Sequence, residues 1–373
     1  MADLTTLIEL SRSFGADPNF TLLGGGNTSY KEGPRLYVKA SGVYLKDLDE
    51  SQVVVMDQDK LKSIWSRSYP AETAPREAEV LKDILSARLP GQTIRPSVEA
   101  LFHSFIKGAY VIHTHPALIN GFTCGREGEA ALEELFEGEA LWIPLMEPGY
   151  ILAGEAKKRI EAFEQTRRRY PRFIFLQNHG IFVPGENREE ILALHKELWE
   201  RCLSRINRVP EARTRPLPPE SLGDFQKEAV RVFGEPYVLA GSENGDILEA
   251  AQSPGAFAPL EIAYTPDHLF YAGVGPCYLT GPGDLAGAAA AFRKRWERDP
   301  VSFIVKDLGA LGGGKTPKAA EESLLLIEDA VKIKVYAESA GGVQPLTPRI
   351  IQFVLNWEAE KYKKAAMESE AKK

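Results

Sequence analysis

Cysteine is scarce in this sequence. The 373 residues include three, Cys124, Cys202 and Cys277. They are far apart, odd in number and without CxxC spacing, which excludes a disulfide framework and a cysteine-based zinc centre and fits a reduced, cytoplasmic protein. Long apolar runs are also lacking. No stretch of about 18 or more apolar residues occurs, so no membrane span is expected. The N-terminal MADLTTLIELSRSFG has no apolar core of the signal-peptide kind. Basic charge is in deficit too: the formal net charge is -7. That argues against a general nucleic-acid binder, but it permits a small anionic substrate held by local charge. The remainder, 44% hydrophobic and 26% charged, is ordinary globular composition, and the length suffices for two domains.

Periodicity predicts a helix within residues 1–20, with Leu4, Leu7, Ile8 and Phe14 at helical spacing. A glycine loop, Gly24–Ser29, follows. Arg35–Lys39 and Val53–Met56 read as strands, Glu72–Leu89 as a helix, and a further helix starts near Ser97. Ala109–His115 and Phe173–Gln177 read as buried strands, each running into histidine. Strands interleaved with helices predict a mixed α/β fold. The stretch Arg208–Ser221, with Pro210, Pro216, Pro218 and Pro219, is the best linker candidate. The expected division is therefore residues 1–207, a linker at 208–222, and a second domain at 223–373. The charged tail after Trp357 reads as a helix or a frayed end without a role.

The second half echoes the first. Tyr110–His115 can be set beside Tyr237–Ser242, and Tyr170–Gly180 beside Asp299–Gly309, so that Pro171 falls on Pro300, Gly180 on Gly309 and Gly185 on Gly314. A tandem duplication is the reading, with shared strand–turn–helix grammar as the competing explanation. On this alignment His113 falls on Ala240, His115 on Ser242, His179 on Leu308, and Glu99 near Gln226. The second copy would keep the core and lack every ligand.

His113-Thr114-His115 closes an apolar strand. Alternate strand residues share a face, so both imidazoles can reach one ion. Borderline cations such as Zn2+ favour nitrogen, and three protein ligands leave a position open for substrate. His179 can supply the third nitrogen. Glu99 can add an oxygen, or move protons. An HxH pair is often just two surface or core histidines, but five of the six histidines lie within residues 103–195, which favours metal. His103 shares a helix face with Glu99 and reads equally as a support for the site or as a packed histidine. His195 reads as structural, and His268 has no ligand partner. Gly24–Ser29, Ser41-Gly42 and Ser97 offer N–H and hydroxyl groups to an anion, and ordinary turns would explain them as well. Gly309–Thr316 matches the phosphate-loop pattern GxxxxGK[ST]. It is read as a plain strand–turn connection, because it aligns with Gly180–Asn187 and Pro317 follows directly.

Taken in order, Gly-Gly-Asn27-Thr-Ser, Ser41-Gly42, Pro96-Ser97-Val98-Glu99, His113-Thr114-His115-Pro116 and Gln177-Asn178-His179-Gly180 resemble the class II aldolase/adducin family over about residues 1–205. Within it they look most like the aldolase part of bifunctional rhamnulose-phosphate aldolase/dehydrogenase proteins, without a dehydrogenase domain. The resemblance implies a three-layer α/β/α fold with Zn2+ or another divalent transition metal on His113, His115 and His179, and Glu99 as mobile ligand and acid/base. It implies substrate phosphate on Gly26, Asn27, Ser41, Gly42 and Ser97. Many members have a second serine where this chain has Val98. The implied activity is aldol cleavage of a phosphorylated ketose by a cytoplasmic homo-oligomer, a dimer or tetramer, with no nucleic-acid or membrane partner. A sugar-phosphate epimerase or dehydratase, or a non-catalytic adducin-like interaction module, are the alternatives on the same scaffold.

Overall fold

Seven strands form the first sheet of the structure, a computed structural model that describes residues 3–357. The charged tail expected after Trp357 lies outside the described residues. The strands are β1 (Asn27–Glu32), β2 (Arg35–Lys39), β3 (Val53–Asp57), β4 (Tyr110–Thr114), β5 (Ala140–Ile143), β6 (Phe173–Leu176) and β7 (Gly180–Gly185). Their spatial order is β3-β2-β1-β4-β7-β6-β5. All neighbours are antiparallel except β5 and β6. β4, rich in β-branched residues, is central, so its C-terminal end is held from both sides.

Alternation along β4 places the core on both faces. Val111 joins a cluster with Leu36, Val54, Phe102 and Ile160. Ile112, one residue on, joins Leu10, Phe14 and Ile191. Helices therefore cover both sides of the sheet, the three-layer arrangement expected. Among the described residues, no helix is long and apolar enough to cross a membrane.

His195, on the helix Arg188–Ser204, belongs to this packing. Its ring lies 4.3 Å from Phe14 and 5.8 Å from Phe20, centroid to centroid, and its Nδ1 donates to the Ile191 carbonyl at 2.7 Å. Burial pushes its pKa down to about 4. The folded form thus binds a proton less readily than the unfolded chain. Its contribution is complete above the unfolded value of about 6.5 and is lost as pH falls through about 4. His195→Phe is expected to flatten the acid side of the stability curve by roughly 2 kcal/mol. Urea unfolding at pH 7.5 and pH 5 checks this, and an unchanged difference between the two pH values would refute it.

Five strands form the second sheet: β8 (Arg215–Pro216), β9 (Val238–Glu243), β10 (Cys277–Leu279), β11 (Ser302–Val305) and β12 (Gly309–Gly314), ordered β10-β11-β12-β9-β8. The run β9-β12-β11-β10 has the order and strand directions of β4-β7-β6-β5. The turns agree as well. Asn178 and Asp307 have φ of 57° and 56°, and Arg168 and Glu297, each closing a helix, both have 57°. One detail of the sequence alignment changes. His113 pairs with Phe182, and Leu311, at the equivalent place in β12, pairs with Gly241. His113 is therefore level with Gly241 and His115 with Glu243, one residue beyond the expected Ala240 and Ser242.

The chain also divides differently from the expected 1–207, 208–222 and 223–373. One unit holds residues up to 119, 129–204 and from 352 on; the other holds 120–128 and 205–351. The proline-rich stretch is not a free linker. Pro216 pairs with Ser242 as an edge strand, where a missing N–H is tolerated, Leu217 is in the second core, and Arg208 meets Asp246 at 3.1 Å. Gly309–Gly314 is a strand paired on both sides, so its glycines do not form a phosphate loop. A Cβ at Gly312 would lie 2.3 Å from the Ala320 carbonyl oxygen, which explains glycine there: the helix Pro317–Ala337 rests directly on β12.

Candidate functional site

The histidines meet at the end of β4. His113 stacks on Phe182, its partner across the ladder, with centroids 4.0 Å apart. Its Nδ1 donates to the Ile181 carbonyl at 2.9 Å. That bond fixes the tautomer and leaves the Nε2 lone pair facing inward. The Nε2 of His115 is 2.9 Å from it. His179 follows Asn178, whose left-handed φ of 57° turns the chain between β6 and β7. Asparagine tolerates that conformation. The ligand nitrogens of His113, His115 and His179 all lie within 4.8 Å of one another. Two glycines permit the approach. A Cβ at Gly180 would be 2.4 Å from the Thr114 carbonyl oxygen, and one at Gly26, with φ of +69°, would be 2.6 Å from that of His113.

Glu99 immediately precedes the helix Ala100–Phe105, and its N–H donates to the Ser97 hydroxyl at 3.3 Å. Its carboxylate oxygens sit 3.2 Å from His113 Nε2 and 3.6 Å from His179 Nε2. Burial pushes the Glu99 carboxyl up, but His113, His179, the Asn27 amide and His115 outweigh it and hold its pKa at about 2. Burial also pushes His113 well below the ordinary imidazole range. The Glu99 carboxylate thus faces the Nε2 of a fully buried imidazole.

Behind Glu99 runs a chain of hydrogen bonds not anticipated from the sequence. Asn27 Nδ2 donates to Glu99 at 2.6 Å. Asn27 Oδ1 accepts from His103 Nε2, so His103 Nδ1 accepts from the Ser29 hydroxyl, at 2.6 Å. Burial, followed by the charge of Lys31, pushes His103 down to about 3, and it stays neutral. His103 is thus a support for the site. The readable signal was on β1: Asn27, Ser29 and Lys31 are polar at alternate positions of an inner strand, one face of the pleat. Lys31 donates to the Ile106 and Gly108 carbonyls at 2.6 and 3.1 Å, and burial pushes its amine down to about 7.

The residues expected to bind phosphate are only partly assembled for it. Ser41 N–H donates to the Arg95 carbonyl and Ser97 N–H to that of Lys39, both at 2.9 Å, which brings Ser41, Gly42 and Ser97 side by side. Lys39, absent from the sequence expectation, is buried beneath this turn and donates to the Val43 carbonyl at 2.6 Å. The side chain of Asn27 is instead engaged by Glu99 and His103.

A model of the class II aldolase and adducin N-terminal domain matches residues 5–204, more than half of the chain. The chain belongs to this family. A relative matching 96% of this class II aldolase-family chain at 23% identity is an uncharacterized oxidoreductase of Bacillus subtilis (strain 168), YuxG. The match covers 57% of YuxG, so the chain spans little more than half of that protein's length. Among solved structures, the N-terminal class II aldolase domain of a conserved protein from Thermoplasma acidophilum is 23% identical, covering 54% of this chain and 93% of that one, with a TM-score of 0.46. An L-fuculose 1-phosphate aldolase is 19% identical, covering 60% and 95%, with a TM-score of 0.38.

The class II aldolase-type cluster suits a divalent cation of borderline softness. Its donors are three imidazoles and one carboxylate, and His113 already has its second nitrogen engaged, as metal-ligating histidines do. If Asn27 positions Glu99, Asn27→Ala should weaken metal binding about 10- to 100-fold. Asn27→Asp, which keeps an acceptor for His103 but removes the donor to Glu99, should not rescue it. A chelator-competition titration measures both, and wild-type affinity in Asn27→Ala would remove the positioning role.

Proposed function

We propose that this chain is a divalent-metal-dependent lyase that cleaves the carbon–carbon bond of a phosphorylated ketose or related sugar phosphate. The convergence of His113, His115 and His179 beside the carboxylate of Glu99 carries this reading. Zn2+ is the expected ion, held by the three imidazoles, with Glu99 as a fourth ligand that substrate can displace. When bound, the cation supplies a Lewis acid that neutralises negative charge growing on the ketone oxygen as the bond breaks.

The chain's own residues supply the rest. Glu99, ionised at neutral pH, can take a proton from the departing hydroxyl or return one to carbon. Asn27, His103 and Ser29 hold its orientation. The hydroxyls of Ser41 and Ser97 and the N–H of Gly42 are offered to the substrate phosphate, with the ammonium of Lys39 beneath them. The likeness to rhamnulose-phosphate aldolase/dehydrogenase proteins gains support from the length and the oxidoreductase name of YuxG. We assign the aldol step, and no redox step, to the part shared with this chain, acting in the cytoplasm.

We further propose that residues 205–351 derive from a second copy of the same unit. The matching strand order, strand directions and left-handed turns support this, and Gly241, Glu243 and Leu308 stand where the three histidines would be. A homodimer of such a chain would then imitate a ring of four aldolase units with half the sites retained. A monomer of full activity in sedimentation would sink that arrangement.

The functional test is a panel of ketose 1-phosphates incubated with metal-loaded protein, with released dihydroxyacetone phosphate and aldehyde as the readout. Triose phosphate released from one of them supports the lyase. Epimerised or dehydrated sugar without cleavage would move the assignment to the other enzymes of this scaffold.

A further inference from the structure

Glu99 and His103 belong to one short segment, and β1 grips it at regular intervals. Asn27, Ser29 and Lys31 alternate along β1 and share one face of the pleat. Asn27 donates to the Glu99 carboxylate at 2.6 Å. Ser29 donates to the His103 ring at 2.6 Å. Lys31 donates to the carbonyls of Ile106 and Gly108 at 2.6 and 3.1 Å. The spacing has a simple cause. Two residues of strand advance about 6.6 Å and four residues of helix about 6 Å, so alternate positions of β1 keep pace with every fourth position from Glu99 onward.

The third grip differs in kind. Asn27 and Ser29 hold side chains that can rotate, whereas Lys31 holds main chain. Ile106 closes the helix Ala100–Phe105, its own N–H donating to the Phe102 carbonyl at 3.0 Å. Carbonyls at such an end lack partners within the helix, and a lysine amine is a fitting donor. Gly108, with φ of +101°, then turns the chain into β4. A Cβ there would lie 3.0 Å from the Gly185 nitrogen. The Lys31 N–H donates to the Ala109 carbonyl at 2.8 Å. One residue thus fixes, through main chain and side chain together, the join between the Glu99 segment and the strand that carries His113.

We propose that Lys31 is a positioning residue for Glu99. It sets how far the segment lies along β1, and with it the distance from the Glu99 carboxylate to the histidine nitrogens. The proposal rests on the reading of Glu99 as metal ligand and acid/base. A displacement of about 1 Å at a reacting group can cost about a hundredfold in rate, so a remote grip on the main chain bears directly on the chemistry.

The test first reads the segment without metal or substrate, in full-length protein isotope-labelled at histidine. It is run at pH 6, below the value of about 7 to which burial pushes the Lys31 amine. The Nε2 proton of His103, which donates to Asn27, is expected as a slowly exchanging resonance, assigned by its absence in His103→Gln. In Lys31→Met that proton should exchange about tenfold faster or more, through local opening. In metal-loaded Lys31→Met, kcat should fall about 10- to 100-fold, as for other supports of a metal ligand, while KM changes little because the phosphate turn is untouched. Lys31→Arg, which keeps a cation and its N–H donors, should restore both. Should Lys31→Met fail to fold, Lys31→Gln, uncharged and shorter in reach, is measured in its place. A His103 proton as protected in the variant as in wild type, or a lower urea midpoint with unchanged kcat, overturns the proposal. Failure of the wild-type chain to cleave any ketose phosphate defeats the lyase reading alone, because the His103 resonance still reports whether Lys31 holds the segment.

Discussion

Purified His113→Ala protein is expected to retain less than about a tenth of the divalent metal found per wild-type chain, and less than about a thousandth of the proposed aldol activity. His113 is fully buried, anchored by the Ile181 carbonyl and stacked on Phe182, so its nitrogen is firmly fixed. Its loss removes one ligand and also the contact that holds Glu99 at 3.2 Å. Elemental analysis beside activity decides the matter. About one equivalent in wild type and almost none in the variant is the expected result. An equal metal content in both would mean that the imidazoles do not hold the ion. Two equivalents in wild type would point to a further site elsewhere in the chain.

Glu99→Gln separates binding from proton transfer. Glutamine keeps the shape and can still face Asn27, and three imidazoles remain for the metal. Metal content should therefore stay near one equivalent, with affinity reduced about tenfold, while kcat falls by roughly 10²- to 10⁴-fold, the range for loss of a positioned acid/base. Because the Glu99 carboxyl is held at about 2, it is already ionised across the working range. A kcat in Glu99→Gln within threefold of wild type would assign the proton transfer to another group.

The convergence of the three histidines could be read in the sequence because its grammar is local: alternate residues of one strand share a face, and each of the two strands runs into histidine. The support behind it could not be read the same way. Asn27, His103 and Ser29 meet because β1 lies against β4 and the helix Ala100–Phe105 packs nearby, a tertiary fact visible beforehand only as polar alternation on an inner strand. The echo between the halves was visible, but its register in β9 was one residue off. The matching Tyr-Val pairs drew the alignment to them, and only the ladder to β12 sets the register, on which facing direction depends. The prolines of Arg208–Ser221 suggested a linker, because composition alone does not distinguish a loop from an edge strand such as β8.

The division of the chain also sets the order in which its parts can be completed during synthesis. Residues 120–128 leave the first unit and are stitched to 340–344: Gly125 bridges Val343, Arg126 N–H donates to the Gly342 carbonyl, and Glu127 N–H to that of Ala340. Phe353, Asn356 and Trp357 return to the first unit, where they line a cleft beside the helix Thr73–Ser86. A nascent chain that has released its histidines, its glutamate and the first sheet still lacks the last wall of that unit until the whole second sheet has been made. The two halves are therefore not separable by any single cut in the gene. A fragment ending near residue 204 would carry every proposed metal ligand, yet would display an unfinished apolar face where Trp357 should be.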